Sequence, residues 1–341
     1  MNRASLKNLV SSRAAVITGL GVLGGAATAL WVQMQARRAE RENPPRGKFL
    51  EVEGVRLHYV ERGAGTPVVL IHGNGVSLED FEASGLLDRL AADHRVVAID
   101  RPGFGHSSRP RDRMWTPKAQ AKALHAALQA LGITQARVVG HSMGAMVATA
   151  LALDYPEDVA RLVLLGGYYY PTLRLDALVA APVALPVVGD ALRYTVTAAV
   201  SRATLNGAVK TMFAPNDVPD GFFGVLSREM MLRPGQLRAN AEDAAFMMQA
   251  ASDAAGRYGD LQMPVVIVAG QDDGIVDPHA HSARLHGDVS GSEFFIIPGT
   301  GHMVHHAVPS RIAEAVGGIA LPRPSTPSDA AVATAEAEQH A

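Results

Sequence analysis

The chain has 341 residues, 31 Lys and Arg against 33 Asp and Glu (formal net charge −2), and no cysteine. That composition excludes disulfides, thiolate metal sites and a cysteine nucleophile, and it offers no electrostatic case for a nucleic-acid partner. Hydrophobic residues make up 48%, enough at this length to bury a large core.

Residues 1–13 are polar and basic, with Arg3, Lys7 and Arg13. From Ala14 the chain runs to Val32 without a charge, so residues 14–34 approach the ~20 residues of a bilayer span. With Trp31 where an interfacial aromatic sits, this stretch reads as a transmembrane signal anchor. The localisation expected from it is membrane-anchored, sidedness open. The alternative is a cleaved signal peptide and a secreted or periplasmic product, because Ala27-Thr28-Ala29 resembles a processing site. Residues 35–47 read as a charged linker.

Phe49 to Val52 and Val55 to Glu61 alternate around Glu53-Gly54, the pattern of a β-hairpin. Four continuous apolar runs follow, of the kind found in buried parallel strands. They are Val68 to Ile71, Val96 to Ile99, Ala136 to Val139 and Arg161 to Leu165. Helical spacing separates them. Thr116-Pro117 caps one helix, with proline at the first helical position, and Ala121, Leu124, Leu128 and Leu131 space its apolar face. From Tyr168 to about Leu261 no β-type run appears, and methionine pairs such as Met230-Met231 and Met247-Met248 recur. This segment is expected to be a helical lid. Two more strands, Val265 to Ala269 and Phe294 to Ile297, and a helix over Ser310 to Ile319 complete the pattern. The expected organisation is a core of 48–167 and 262–321, a lid of 168–261 and a disordered tail of 322–341. Alternating strands and helices predict a parallel α/β sheet whose site lies at the carboxyl ends of the strands.

The chemistry centres on Gly140-His141-Ser142-Met143-Gly144, which joins an apolar strand to a helix and matches the nucleophile elbow G-x-S-x-G. A serine thrust from so tight a turn needs small neighbours two positions away, and the helix start aims N–H groups at a developing oxyanion. Serine needs a base, and the base needs an orienting acid. In this fold type the order is Ser, acid, His. His302, after the last strand, is the base; His305 and His306 are read as supporting or surface groups. The acid follows the strand ending at Ala269: Asp273 is favoured by its spacing from Gly270, Asp272 is the runner-up, and Asp277 beside Pro278 is read as a turn or cap. Gly166-Gly167 leaves the alternative acid position, after the preceding strand, empty. The oxyanion donors are the backbone N–H groups of Met143 and Asn74. Asp112 and the Arg101–Arg109 region read as solvated loop charges. No cofactor or metal site is evident.

Together with His72-Gly73-Asn74-Gly75, Asp100 to Gly105 and Gly270-Gln271-Asp272-Asp273, these motifs resemble the α/β-hydrolase superfamily in its lidded, serine esterase-like branch. The resemblance covers Phe49 to about Ile319 outside the lid. It implies an eight-stranded, mostly parallel sheet with helices on both faces and a triad of Ser142, Asp273 and His302. Dehalogenases and epoxide hydrolases of this type carry Asp where this chain has Ser142. The expected function is hydrolysis of an apolar acyl ester through an acyl-enzyme on Ser142. The alternatives are a C–C bond, lactone or amide hydrolase, or a ligand-binding protein without turnover.

Overall fold

The computed structural model describes residues 3–318 of the chain, and of residues 3–22 and 175–179 the backbone alone. The expected tail at 322–341 lies outside the described residues.

Eight strands form one sheet: β1 (Lys48–Val52), β2 (Val55–Arg62), β3 (Thr66–Ile71), β4 (His94–Ile99), β5 (Ala136–His141), β6 (Val159–Leu165), β7 (Val265–Gly270) and β8 (Glu293–Ile297). Their spatial order is β1-β2-β4-β3-β5-β6-β7-β8. β2 is antiparallel to both β1 and β4, and every pair from β4 to β8 is parallel. All the apolar runs read as strands from their composition are strands. Successive side chains of a strand point to opposite faces, so apolar residues at every position bury both. Val69, Ile71, Val138 and Leu164 face one core, and Val68, Leu70, Val139 and Leu165 face the other.

Helices cover both faces. α4 (Pro117–Ala130) and α5 (Met143–Asp154) lie on the first, with α12 (Arg284–Asp288). α2 (Glu79–Ala83), α3 (Leu86–Ala91), α13 (Val304–Ala307) and α14 (Pro309–Gly317) lie on the second. Thr116 caps α4 as expected, its hydroxyl accepting from the Ala119 N–H at 3.3 Å. Between β6 and β7 the chain is helical throughout its regular elements: α6 (Leu175–Ala184), α7 (Val188–Arg193), α8 (Val196–Phe213), α9 (Phe222–Val225), α10 (Arg228–Met231) and α11 (Pro234–Ala255). This is the lid.

The N-terminal expectation is corrected. No helix among the described residues is long and apolar enough to cross a membrane. The first part of the expected span, 14–22, lies outside the residues whose side chains are described. The remainder belongs to one helix, α1 (Arg3–Glu42), which continues through the first part of the expected linker. Its C-terminal half packs on the lid. Val32 and Ala39 are buried, the Arg202 guanidinium stands 5.2 Å from the Trp31 ring, and Glu40 pairs with Arg233 at 2.9 Å. Trp31, read as an interfacial aromatic, is a lid contact.

Candidate active site

β5 delivers Ser142 to the carboxyl edge of the sheet, and α5 begins at the next residue. Ser142 has φ 53° and ψ −118°, a conformation that costs a non-glycine residue roughly 1–3 kcal/mol. The surroundings hold it there: its N–H donates to the Leu165 carbonyl at 2.8 Å, on the neighbouring strand. Gly144 is the residue that permits the turn. A Cβ at 144 would lie 2.1 Å from the Ile71 carbonyl oxygen, so α5 can start this close to β3 only without a side chain. The Ala145 N–H donates to the Ser142 carbonyl at 2.9 Å, and the Met143 N–H, at the first position of α5, has no acceptor within the helix.

His302 follows β8 and Asp273 follows β7. His302 Nδ1 lies 2.7 Å from Asp273 Oδ2, with both side chains buried. The other carboxylate oxygen of Asp273 accepts from the backbone N–H groups of Ile275 and Val276, at 2.8 and 2.9 Å. The Asp273 carboxylate is thus fixed by its own turn, and the His302 imidazole presents Nε2 as its remaining nitrogen. Asp272 is exposed. Asp277 accepts from the N–H groups of His279 and Ala280, the turn role read from its proline neighbour. Gly166 fills the alternative acid position: a Cβ there would stand 3.4 Å from His302 Nδ1 and 3.5 Å from Asp273 Oδ2.

Ser142 and His302 open into one cavity of about 740 Å³ roofed by α6, α8 and α11. Its wall is mostly apolar, with Val183, Val196, Val200, Leu237, Met247 and Val276 among the lining side chains. Asn74 stands at its base, where the Asn74 side chain donates to the Asn240 carbonyl at 3.2 Å and Asn240 Oδ1 accepts from Gly75 N–H at 2.9 Å. α11 therefore holds the loop that carries Asn74.

One expectation is overturned here. Arg101 and Arg109 are buried rather than solvated. Arg101 lies 2.5 Å and Arg109 2.9 Å from the carboxylate of Asp243, a fully buried side chain of α11. Arg101 also donates through Nε to the His72 carbonyl and through Nη2 to the Gly73 carbonyl, at 2.9 and 3.1 Å. Its backbone N–H donates to His72 Nε2. Burial, with Arg101 beside it, pushes the His72 imidazole down to about 4, so it stays the neutral acceptor this bond needs. His305 and His306, read as supporting or surface groups, turn inward. Each places Nε2 2.8 Å from an oxygen of the fully buried Asp80. Burial would raise the Asp80 carboxyl, but these two imidazoles outweigh it and hold the group well below the usual carboxylate range.

Among the described residues, Asp80, His305 and His306 form one group of metal-competent side chains, and His125, Glu157 and Asp158 another. In the first, the carboxylate oxygens and both Nε2 atoms already bond one another. Sequence reasoning also missed His141, the residue before Ser142. Burial keeps its imidazole well below its ordinary value, and Nε2 donates to the His302 carbonyl at 3.1 Å. The elbow itself thus braces the loop bearing His302.

The comparisons agree with this architecture. A 2-hydroxymuconate semialdehyde hydrolase of Pseudomonas sp. (strain CF600) is 38% identical over 143 residues, 41% of this chain and 50% of the relative, so the match spans about half the relative's length. A 2-hydroxy-6-oxo-6-phenylhexa-2,4-dienoate hydrolase of Burkholderia cepacia is 27% identical over 250 residues, 72% of this chain and 85% of the relative. The crystal structure of wild-type Cfl2 from Burkholderia cenocepacia superposes with a TM-score of 0.66 at 26% identity, covering 80% of this chain and 94% of that one. The sequence profile of the alpha/beta hydrolase fold matches residues 66–307, and with the sheet order and the elbow in place the chain belongs to the α/β-hydrolase fold family.

Proposed function

We propose that the protein is a serine hydrolase that cleaves apolar carboxylic esters through an acyl-enzyme. The observation that carries this reading is the Asp273–His302 bond beside Ser142 at the base of an apolar cavity. Ser142 Oγ attacks the ester carbonyl carbon while His302 Nε2 takes its proton. Asp273 keeps Nδ1 protonated and stabilises the imidazolium. The backbone N–H groups of Met143 and Asn74 hold the oxyanion. Collapse breaks the bond to the alkoxy oxygen, which leaves with the proton from His302. A water, deprotonated by the same Nε2, then releases the acid and restores Ser142. The cavity wall is apolar over most of its area, which favours an acyl or alkyl chain over a charged group.

A second reading is favoured by the relatives' names, which describe hydrolases of 2-hydroxymuconate semialdehyde and of a phenylhexadienoate. Such a reaction breaks a C–C bond with the same catalytic groups. The test is turnover of p-nitrophenyl esters of graded acyl length beside 2-hydroxymuconate semialdehyde, by wild type and by Ser142→Ala. Ester hydrolysis that rises with chain length and disappears in Ser142→Ala is expected. Turnover of the semialdehyde with inert esters would replace the first reading by the second, and activity equal in both proteins would remove Ser142 as nucleophile.

A further inference from the structure

A second cavity, of about 280 Å³, lies outside the catalytic one, in the crevice between α5 and the C-terminal half of α11. Its origin is in the sequence. Ala150 of α5 and Ala250 and Ala254 of α11 line it, and methyl side chains do not fill the space between two helices at this distance. Met146, Leu153 and Phe246 add further apolar lining, beside Thr149, Tyr169 and Tyr258. The charges at its rim are already matched: Asp154 pairs with Lys118 at 3.7 Å and with Arg257 at 2.8 Å, and Gln249 donates to Asp253 at 2.7 Å. A charged ligand would have to break one of these contacts, whereas a neutral one would not. Apolar cavities of about 150 Å³ hold a benzene ring, so this one has room for one or two rings.

The crevice shares both of its helices with the catalytic site. α5 starts immediately after Ser142, and Met146 lies one turn on from that serine, packed in a single cluster with Met143 and Met247. On α11 the residues facing the crevice (Phe246, Ala250, Ala254) lie on a different side of the helix from Leu237 and Ala241, which face the catalytic cavity, and Met247 stands at the border between the two sides. A body wedged between α5 and α11 therefore presses on the back of the catalytic wall. We propose that this crevice binds a neutral one- or two-ring aromatic molecule, and that occupancy is transmitted to the catalytic cavity through the Met143–Met146–Met247 layer. Transmission rests on the hydrolase reading above; binding does not.

The experiment titrates the full chain with indole by calorimetry, in wild type, Ala250→Phe, which fills the crevice, and Ala241→Phe, which fills the catalytic cavity. Saturable binding is expected, weakened at least tenfold by Ala250→Phe and changed less than twofold by Ala241→Phe. Absence of saturable binding, or the reverse dependence on the two variants, overturns the site. If Ala250→Phe does not fold, Leu153→Gln, at a half-buried position, makes the crevice polar without filling it and carries the same expectation. In parallel, saturating indole should change KM or kcat for p-nitrophenyl acetate at least twofold in wild type and not in Ala250→Phe. Binding without that change overturns the transmission. An inert ester would count against the hydrolase reading and leave the calorimetric result standing.

Discussion

Replacing Asp243 by Asn tests the claim that the lid is tied to the catalytic core by a buried charge network. The change keeps the shape and removes the charge. The Arg101 guanidinium, with its side chain 1% exposed, then faces a neutral amide, while Arg109 keeps Glu242 at 2.6 Å. Removing one partner of a buried ion pair costs about 3–5 kcal/mol, because the remaining charge stays desolvated. At about 2–4 °C per kcal/mol the melting temperature should fall by roughly 10 °C. The assay is thermal unfolding followed by circular dichroism at low salt and at 0.5 M NaCl. Exposed pairs weaken with salt, and buried ones are screened far less. The fall should therefore persist at high salt. A loss under about 1 kcal/mol, or one that salt abolishes, would mean that these arginines are solvated and that the lid is held by apolar packing alone. A functional consequence accompanies the structural one. Arg101 binds the carbonyls of His72 and Gly73, so loosening it moves the loop that aims the Asn74 N–H. Ester turnover in Asp243→Asn should drop in kcat at temperatures where the variant is fully folded.

Asp273→Asn should lower kcat/KM for p-nitrophenyl esters by about 10⁴ through loss of the imidazolium partner, with little change in melting temperature. A loss under tenfold would point to another acid. Gly144→Ala places a methyl against the Ile71 carbonyl and should cost about 1–3 kcal/mol in urea unfolding while abolishing turnover. Burial, with the Asp100 charge adding to it, pushes the Glu79 carboxyl up to about 7. The folded state then holds a proton that the unfolded chain loses near 4.5, so stability falls as pH rises from 4.5 to 7. Glu79→Gln should be more stable than wild type at pH 8, by at most about 3 kcal/mol, and should show no gain at pH 4. His72 and His281 run the other way. Burial pushes both imidazoles down to about 4, so the unfolded chain binds protons below 6.5 that the fold does not. Urea midpoints should fall as pH drops from 6.5 to 4, and a flat profile would show these imidazoles protonated inside the fold.

Which of these features could be read in advance depends on how far apart in the chain their partners lie. Each strand announces itself within six or seven residues, because a run buried on both faces has to be apolar at every position. The elbow's signal is equally local, since Gly144 stands two residues from Ser142 although the contact that requires it is with Ile71, and the turn after β7 that fixes Asp273 is closed by Ile275 and Val276. His302 could be placed for the same reason, as it follows a legible strand. The bracing groups lack such signals. Asp243 is 142 residues from Arg101, and Asp80 is 225 from His305; neither lies in a pattern that marks it as buried. A lone arginine in a Gly- and Pro-rich loop reads as solvated until its acceptor is known. The N-terminal stretch fails in the opposite direction. Its uncharged length is a local signal, but length alone does not separate an apolar run bound for lipid from one that leads into a helix packed on a lid through Val32 and Ala39. The residues that would perform the chemistry were thus legible from short range. Those that hold the lid over them were not, since their partners are brought together only by the fold.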